Sequence, residues 1–181
     1  MRTRITATTL AAAAALALAG CSAGDTPPDD GYNSTDAMFA RMMIPHHADA
    51  IALSRTLLEV DGVDADVRAL AEAIETSQTD ENATMNDWLA ARDLGRVDGT
   101  PPEVDAEALA GRTSADIQAE FLRGMIEHHR HGVQMARNAA DGGSDAEMTS
   151  LASEMARVQS DEIERMGDML EQDVTSPRGQ G

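Results

Sequence analysis

Hydrophobic residues recur every three or four positions in four long segments, which are separated by stretches rich in Gly, Pro and Asp. This spacing is typical of amphipathic helices, and it predicts helices over residues 36–60, 64–91, 114–140 and 145–172. Aromatic residues make up only 2% of the chain and runs of β-branched residues are absent, so no strand is predicted. Four such helices, joined by short loops within each pair, predict an all-α four-helix bundle.

The chain contains an internal repeat. The segment FARMMIPHH, which begins at Phe39, aligns without a gap with FLRGMIEHH, which begins at Phe121. Further on, after one deletion, Gln78, Glu81 and Met85 match Gln159, Glu162 and Met166. Because there are only two copies, residues 36–91 and 114–172, the pattern indicates two duplicated helical hairpins rather than a solenoid.

Residues typical of helix ends lie between the predicted helices. Gly62 and the pair Gly142-Gly143 are expected to supply left-handed backbone after the first and third helices. Ser144, with Glu147 three residues later, matches a capping box at the start of the fourth helix.

Each predicted helix carries an ionisable residue near its midpoint, within its apolar face. On a helical wheel, the apolar stripe of the first helix includes Met42 and Leu53, with His46 at its centre and His47 at its edge. The third helix repeats this with His128 central and His129 at the edge, and Glu81 and Glu162 fall within the stripes of the second and fourth helices. A buried carboxylate is very costly unless it is paired, protonated or bound to a metal.

Four of the five histidines lie in the two repeated motifs and the fifth, His131, lies two residues after the second motif. Histidine is the commonest metal ligand in proteins. The candidate metal ligands are Met43, His46, His47, Met125, His128, His129, Glu81 and Glu162. The accessory candidates are Met85, Met166, His131, Gln78 and Gln159. The alternative is a hydrogen-bonded His–Glu network that holds the core together without a metal.

The N-terminus has the features of a secretory signal. Arg2 and Arg4 precede a short apolar run, which ends in the sequence LAGC at Cys21 and resembles a bacterial lipobox. We therefore expect a lipoprotein signal peptide over residues 1–20, lipidation of Cys21 and a flexible tether over 21–35. The folded domain is expected over 36–173 and a disordered tail over 174–181. The alternative is an ordinary signal peptide with an incidental cysteine.

The formal net charge of −18 excludes nucleic acid as a partner, because such a surface repels phosphates. The lipid anchor at Cys21 would place the protein in the cell envelope, on the outer face of the cytoplasmic membrane or on the periplasmic side. A hydrolase is not favoured, since the chain has no glycine-rich phosphate loop and no recognisable serine elbow.

The repeated motifs resemble the family called domain of unknown function 305, over nearly the whole predicted domain. The resemblance rests on Met43, His46, His47, Gln78, Glu81 and Met85, and on their counterparts Met125, His128, His129, Gln159, Glu162 and Met166. It implies a ferritin-like four-helix fold. It also implies copper binding outside the cytoplasm, since a characterised member of the family is a periplasmic copper-binding protein.

The ligand types favour copper over a di-iron centre. Di-iron sites in ferritin-like bundles use Glu-x2-His, whereas this chain has Met43-x2-His46 and Met125-x2-His128. Thioethers prefer soft ions, Cu(I) above all, although zinc or iron stays open.

The favoured function is therefore a membrane-tethered, non-enzymatic copper-binding protein that serves metal buffering, resistance or delivery. A di-metal oxidoreductase and a metal-free envelope interaction module are the alternatives. The sequence leaves open whether the protein forms a homo-oligomer or meets a copper-handling protein partner.

Overall fold

The computed structural model describes residues 31–104 and 109–175, which contain four long helices and no strand. The helices are α1 (Ser34–Leu58), α2 (Ala65–Ala91), α3 (Ser114–Gly142) and α4 (Ala146–Thr175). α1 packs along α2 and α3 packs along α4, and the two hairpins meet chiefly through α1 and α3. The prediction of an all-α bundle of two duplicated hairpins is confirmed.

The predicted signal peptide, Cys21 and most of the predicted tether lie outside the described residues, as do the last residues of the tail. α1 begins at Ser34 and Asn33 caps it, slightly before the expected boundary at Asp36. The ring of Tyr32 packs edge-on against that of Trp88, with 5.4 Å between the ring centroids. Among the described helices, none has an apolar run long enough to cross a membrane.

The hydrophobic core is divided into two clusters. The first apolar cluster includes Phe39, Met43, Met85, Trp88, Met148 and Met155. The second apolar cluster includes Leu57, Leu70, Ile74, Phe121, Met125 and Met166. Every helix passes from one apolar cluster to the other. Between the two clusters, each helix contributes two polar residues. We call these eight residues the polar layer: His46, His47, Gln78, Glu81, His128, His129, Gln159 and Glu162.

The predicted apolar stripe of α1 was wrong at two positions. Met42 is 51% exposed and Leu53 is 39% exposed, although both were placed on the buried face. The reason is that α1 packs against two helices, α2 and α3, and therefore has two separate buried faces. A single apolar stripe on a helical wheel averages the directions of these two faces. It therefore includes residues that lie beside the buried faces and remain exposed to solvent.

A buried carboxylate joins the start of α1 to the loop between α3 and α4. Asp36 accepts hydrogen bonds from the backbone N–H groups of Asn33 at 2.8 Å and Ser144 at 2.9 Å. A Cβ atom at Gly143 would lie 2.3 Å from Asp36 Oδ1 and 2.7 Å from the carbonyl oxygen of Ala139. Glycine is therefore needed here for close approach.

The same connection is repeated in the other half of the molecule. Gln118 occupies the position in α3 that Asp36 occupies in α1, and its Oε1 accepts from the backbone N–H of Asp64 at 2.9 Å. Asp64 precedes α2 as Asp145 precedes α4. The first helix of each hairpin thus holds the loop of the other hairpin.

The predicted helix ends need two corrections. Asp145, not Ser144, caps α4, because Asp145 Oδ1 accepts from the backbone N–H groups of Glu147 and Met148, both at 3.0 Å. Ser144 instead donates its backbone N–H to Asp36. Gly62 has the predicted left-handed backbone with φ 77°, whereas Gly143 has φ −72° and is selected by space instead.

Replacement of Asp36 by alanine is expected to lower the free energy of unfolding by about 2–3 kcal/mol, because several buried N–H groups lose a charged acceptor. Urea denaturation of the full-length chain measures this loss. Asp116→Ala is the matched control, since Asp116 lies in the first turn of α3 but is exposed. Equal losses in the two variants would show that the connection to the loop contributes nothing.

Candidate metal centre

Two histidines from different hairpins stack at the α1–α3 interface. The ring centroids of His46 and His128 are 3.7 Å apart, with an angle of 32° between the ring planes. His128 Nε2 donates to the backbone carbonyl oxygen of His46 at 3.0 Å, which leaves Nδ1 of His128 as the atom with a free lone pair. This stack links the two halves of the repeat directly within the polar layer.

Glycine at position 132 makes room for this stack. A Cβ atom at Gly132 would lie 2.3 Å from Gln159 Oε1 and 3.3 Å from His46 Cε1. The corresponding position in α1 is Ala50. The sequence interpretation missed Gly132, although a lone glycine within a helix is a signal of close approach.

The other two histidines of the layer each pair with a glutamate of their own hairpin. His47 Nε2 lies 2.8 Å from Glu81 Oε2, and His129 Nε2 lies 2.9 Å from Glu162 Oε2. A carboxylate accepts the proton at Nε2, so Nδ1 carries the free lone pair. Metal-binding histidines are commonly oriented in this way, by a carboxylate on the ring nitrogen that does not bind the metal.

The predicted order of burial within each histidine pair was reversed. His47 and His129 are fully buried, whereas His46 and His128 are only partly buried. The physical reason is again the two neighbours of each helix. Residues 46 and 128 face the interface between the hairpins, while residues 47 and 129 face the partner helix within their own hairpin.

Several polar atoms of the layer have no bonding partner. Seven of its buried atoms make no hydrogen bond to any described residue: both ring nitrogens of His46, Nδ1 of His47, His128 and His129, and Oε1 of Gln78 and Gln159. Buried polar atoms in folded proteins are nearly always paired, because an unpaired one costs about 1–3 kcal/mol. The layer therefore has bonding capacity that a metal ion could use.

The histidines of the stack are held in the neutral form. Burial lowers the pKa of His46 to about 3, with a further lowering from the nearby His128 and His47. Burial also lowers the pKa of His128 to about 4, and His129 adds to the effect, while the bond to the carbonyl of His46 opposes it. Neutral imidazole is the form that binds metals.

The four imidazoles follow one another across the layer. Their centroids are 6.4 Å apart from His47 to His46 and 6.1 Å apart from His128 to His129. Metal–nitrogen bonds are about 2 Å long, so one ion can bind two rings whose centroids are up to about 6–7 Å apart. Among the described residues, however, no three His, Cys, Asp or Glu side chains converge on a common point. The geometry thus offers pairs of imidazoles rather than a closed cage.

The candidate methionines lie on opposite sides of the layer. Met43 and Met85 belong to the first apolar cluster, while Met125 and Met166 belong to the second, and all four are fully buried. Met43 and Met125 each precede a stacked histidine by three residues, which is about one helical turn. The structure therefore places one thioether beside each half of the layer.

The remaining accessory candidates differ in their positions. Gln78 and Gln159 are buried within the layer. His131 lies on the surface with a side chain that is 72% exposed, and its Nε2 is 3.6 Å from Glu127 Oε1. The structure does not bring His131 into the layer.

Comparison with known proteins identifies the family. The family model for a domain of unknown function, DUF305, matches residues 36–101 and 91–170, which span most of the chain. The protein belongs to the DUF305 family. No curated protein matches the chain.

Solved structures of DUF305 proteins have the same fold. The chain is 29% identical to a DUF305 protein from Streptomyces coelicolor, with a TM-score of 0.68 over 81% of this chain and 96% of that one. A DUF305 fragment from Deinococcus radiodurans is 27% identical, with a TM-score of 0.66 over 77% of this chain and 97% of that one.

The chain is also similar to CopM. In its Cu(I)-bound form, CopM is 31% identical to this chain, with a TM-score of 0.66 over 77% of this chain and 98% of CopM. CopM has also been solved in Cu(II)-bound and silver-bound forms. Copper binding therefore occurs among the proteins that this DUF305 chain resembles.

Lowering the pH from about 6.5 toward 4 is expected to reduce the free energy of unfolding of the metal-free protein. Above that range His46 and His128 are neutral in both states, whereas within it the unfolded chain binds protons that the folded chain does not. The contribution is at most about 1.4 kcal/mol per pH unit for each histidine, and water at their partly exposed edges reduces it.

Urea denaturation across this pH range tests the expectation. The double variant His46→Gln with His128→Gln should show a flatter dependence on pH than the wild type. His131→Gln, at an exposed histidine, should keep the wild-type dependence. An unchanged slope in the double variant would contradict the assignment.

Proposed function

We propose that this DUF305 protein binds copper outside the cytoplasm and buffers it or delivers it at the cell envelope. The observation that carries the proposal is the polar layer, where four imidazoles expose unpartnered ring nitrogens between two apolar clusters. The resemblance to CopM, solved with Cu(I), Cu(II) and silver, supports the choice of metal.

The proposed ligands have different roles. His46 and His128 are central, because they are neutral, stacked and joined across the two hairpins. His47 and His129 offer Nδ1, while Glu81 and Glu162 fix the orientation of these rings rather than bind the metal directly. Met43 and Met125 are the adjacent soft donors.

The donor set favours Cu(I). Thioether and imidazole ligands together suit soft copper, whereas carboxylate-rich sites suit harder ions. Both carboxylates of the layer are already hydrogen-bonded to histidines, so few hard ligands remain for iron. A bound copper ion would supply the bonds that the ring nitrogens lack.

We also propose that the protein is anchored through Cys21. The DUF305 protein of Streptomyces coelicolor is described as a candidate secreted protein, which agrees with a location outside the cytoplasm. A lipid at Cys21 would keep the domain at the membrane surface, where copper crosses the envelope.

A metal-free role is the second candidate. The bonds of His47 to Glu81 and of His129 to Glu162 satisfy part of the layer without any ion, as a structural network would. In that case copper would leave the melting temperature unchanged. No comparable observation favours the di-metal oxidoreductase, because Glu81 and Glu162 each pair with a histidine.

The double variant His46→Gln with His128→Gln is expected to lose tight Cu(I) binding, because both central ligands are removed. Competition against a Cu(I) chelator of known affinity measures the loss on the full-length chain. His131→Gln is the matched control and should bind as the wild type does. Wild-type affinity in the double variant would refute the proposed site.

Replacement of Glu81 and Glu162 by glutamine is expected to weaken Cu(I) binding by about 10–100-fold, because the rings of His47 and His129 lose the carboxylates that orient them. The same competition assay measures the change. Glu127→Gln serves as the control at an exposed glutamate. Complete loss of binding would instead make the two glutamates direct ligands.

A further inference from the structure

A surface groove between α1 and α3 is lined by three methionines. Met38 and Met42 of α1 and Met135 of α3 surround it, with Phe39 and Ala139 among the other lining residues. Its volume is about 260 Å³. We call it the methionine groove; none of its three methionines is among the eight residues of the polar layer.

Two of the three methionines of this groove are unusually accessible, and the third, Met135, is half-buried. Met38 is 58% exposed and Met42 is 51% exposed, and the only other exposed large hydrophobic side chain in the described part of the chain is Leu53. Most of the described methionines are instead buried in the two apolar clusters. Exposed apolar side chains that share one concave surface commonly mark a binding site.

The internal repeat supplies a second groove of the same construction. It lies between the C-terminal half of α1 and the N-terminal half of α3, and its volume is about 240 Å³. Phe121 and Leu57 line it at the positions that correspond to Phe39 and Ala139. We call it the sulfur-free groove, because no methionine or cysteine lines it.

The two grooves differ at each methionine position. Met38, Met42 and Met135 correspond to Glu120, Gly124 and Leu53 in the sulfur-free groove. At these three positions the sulfur-free groove has a carboxylate, a glycine without a side chain and a branched alkyl group. The same helix packing therefore forms a groove without methionine. Met135 also packs against the first apolar cluster, but the fold does not require methionine at any of the three positions, so packing alone does not select the thioethers.

We propose that Met38, Met42 and Met135 form a second, thioether site for a soft monovalent metal ion, Cu(I) or its analogue Ag(I). Methionine is flexible enough for three side chains on two helices to turn their sulfur atoms toward one ion. Thioether sulfur selects Cu(I) over the harder ions that carboxylates bind. The assignment of copper as the natural ion rests on the proposed function.

The methionine groove extends toward the polar layer. Met38, Met42 and His46 follow one another at intervals of four residues, so they lie along one face of α1. The partly exposed His46 therefore lies one helical turn beyond Met42. A metal ion captured by the exposed thioethers would be held next to the stacked histidines.

Silver titration of the full-length chain, solubilised in mild detergent and labelled with ¹³C at the methionine methyl groups, tests the site. Ag(I) should shift the methyl signals of Met38, Met42 and Met135, both in the wild type and in the His46→Gln, His128→Gln variant. Single Met→Leu variants assign the three signals, since this exchange nearly conserves side-chain volume.

The stoichiometry of silver binding gives the second readout. The triple variant Met38→Leu, Met42→Leu, Met135→Leu should bind one Ag(I) fewer than the wild type. Met169→Leu, at a half-buried methionine outside the groove, should bind the wild-type number. An unchanged number in the triple variant would overturn the site even if that variant folds normally.

The two proposals fail in different ways. If the three methyl signals stay fixed while the double-histidine variant loses one Ag(I), the methionine groove is not a metal site and the polar layer is. If the three signals shift while the double-histidine variant binds as many ions as the wild type, the thioether site stands and the layer is structural. If the three methyl signals shift with protein concentration in the absence of metal, a second copy of the chain occupies the groove. That result would overturn the proposal.

Discussion

The desolvation of the polar layer is the constraint on which this fold depends. Four imidazoles, two amides and two carboxylates separate the two apolar clusters, and each must be compensated or remain neutral. The carboxylates of Glu81 and Glu162 remain partly exposed and accept hydrogen bonds from the buried His47 and His129. The stacked His46 and His128 remain uncharged. The rest of the bundle accommodates this layer, because every helix crosses it and each apolar cluster closes one side of it.

The sequence predicted the fold and the membership of the layer, because hydrophobic periodicity and the internal repeat are local and regular signals. It placed Glu81 and Glu162 within the apolar stripes as buried carboxylates, whereas their side chains are 21% and 15% exposed. It did not predict which histidine of each pair faces which neighbour. That choice depends on the packing of α1 against both α2 and α3, which no single helical wheel contains.

Contacts between the two hairpins could not be predicted from the sequence either. The close approach at Gly132, the bond from His128 to the carbonyl of His46, and the connection from Asp36 to Ser144 all join residues about eighty or more positions apart. The first and the third appear in the sequence only as departures from the repeat, glycine in place of Ala50 and aspartate in place of Gln118, whereas His46 and His128 occupy matching positions. Departures from a duplicated pattern are thus as informative as its matches.

The duplication has a consequence for how such a protein can change over time. Two separate hairpins that met as a symmetric dimer would carry every substitution twice, so both grooves would always have the same lining. Joining the copies in one chain removes that restriction. One groove could then gain sulfur while its twin gained a carboxylate, and an ancestral symmetry could give way to a molecule with two unlike faces.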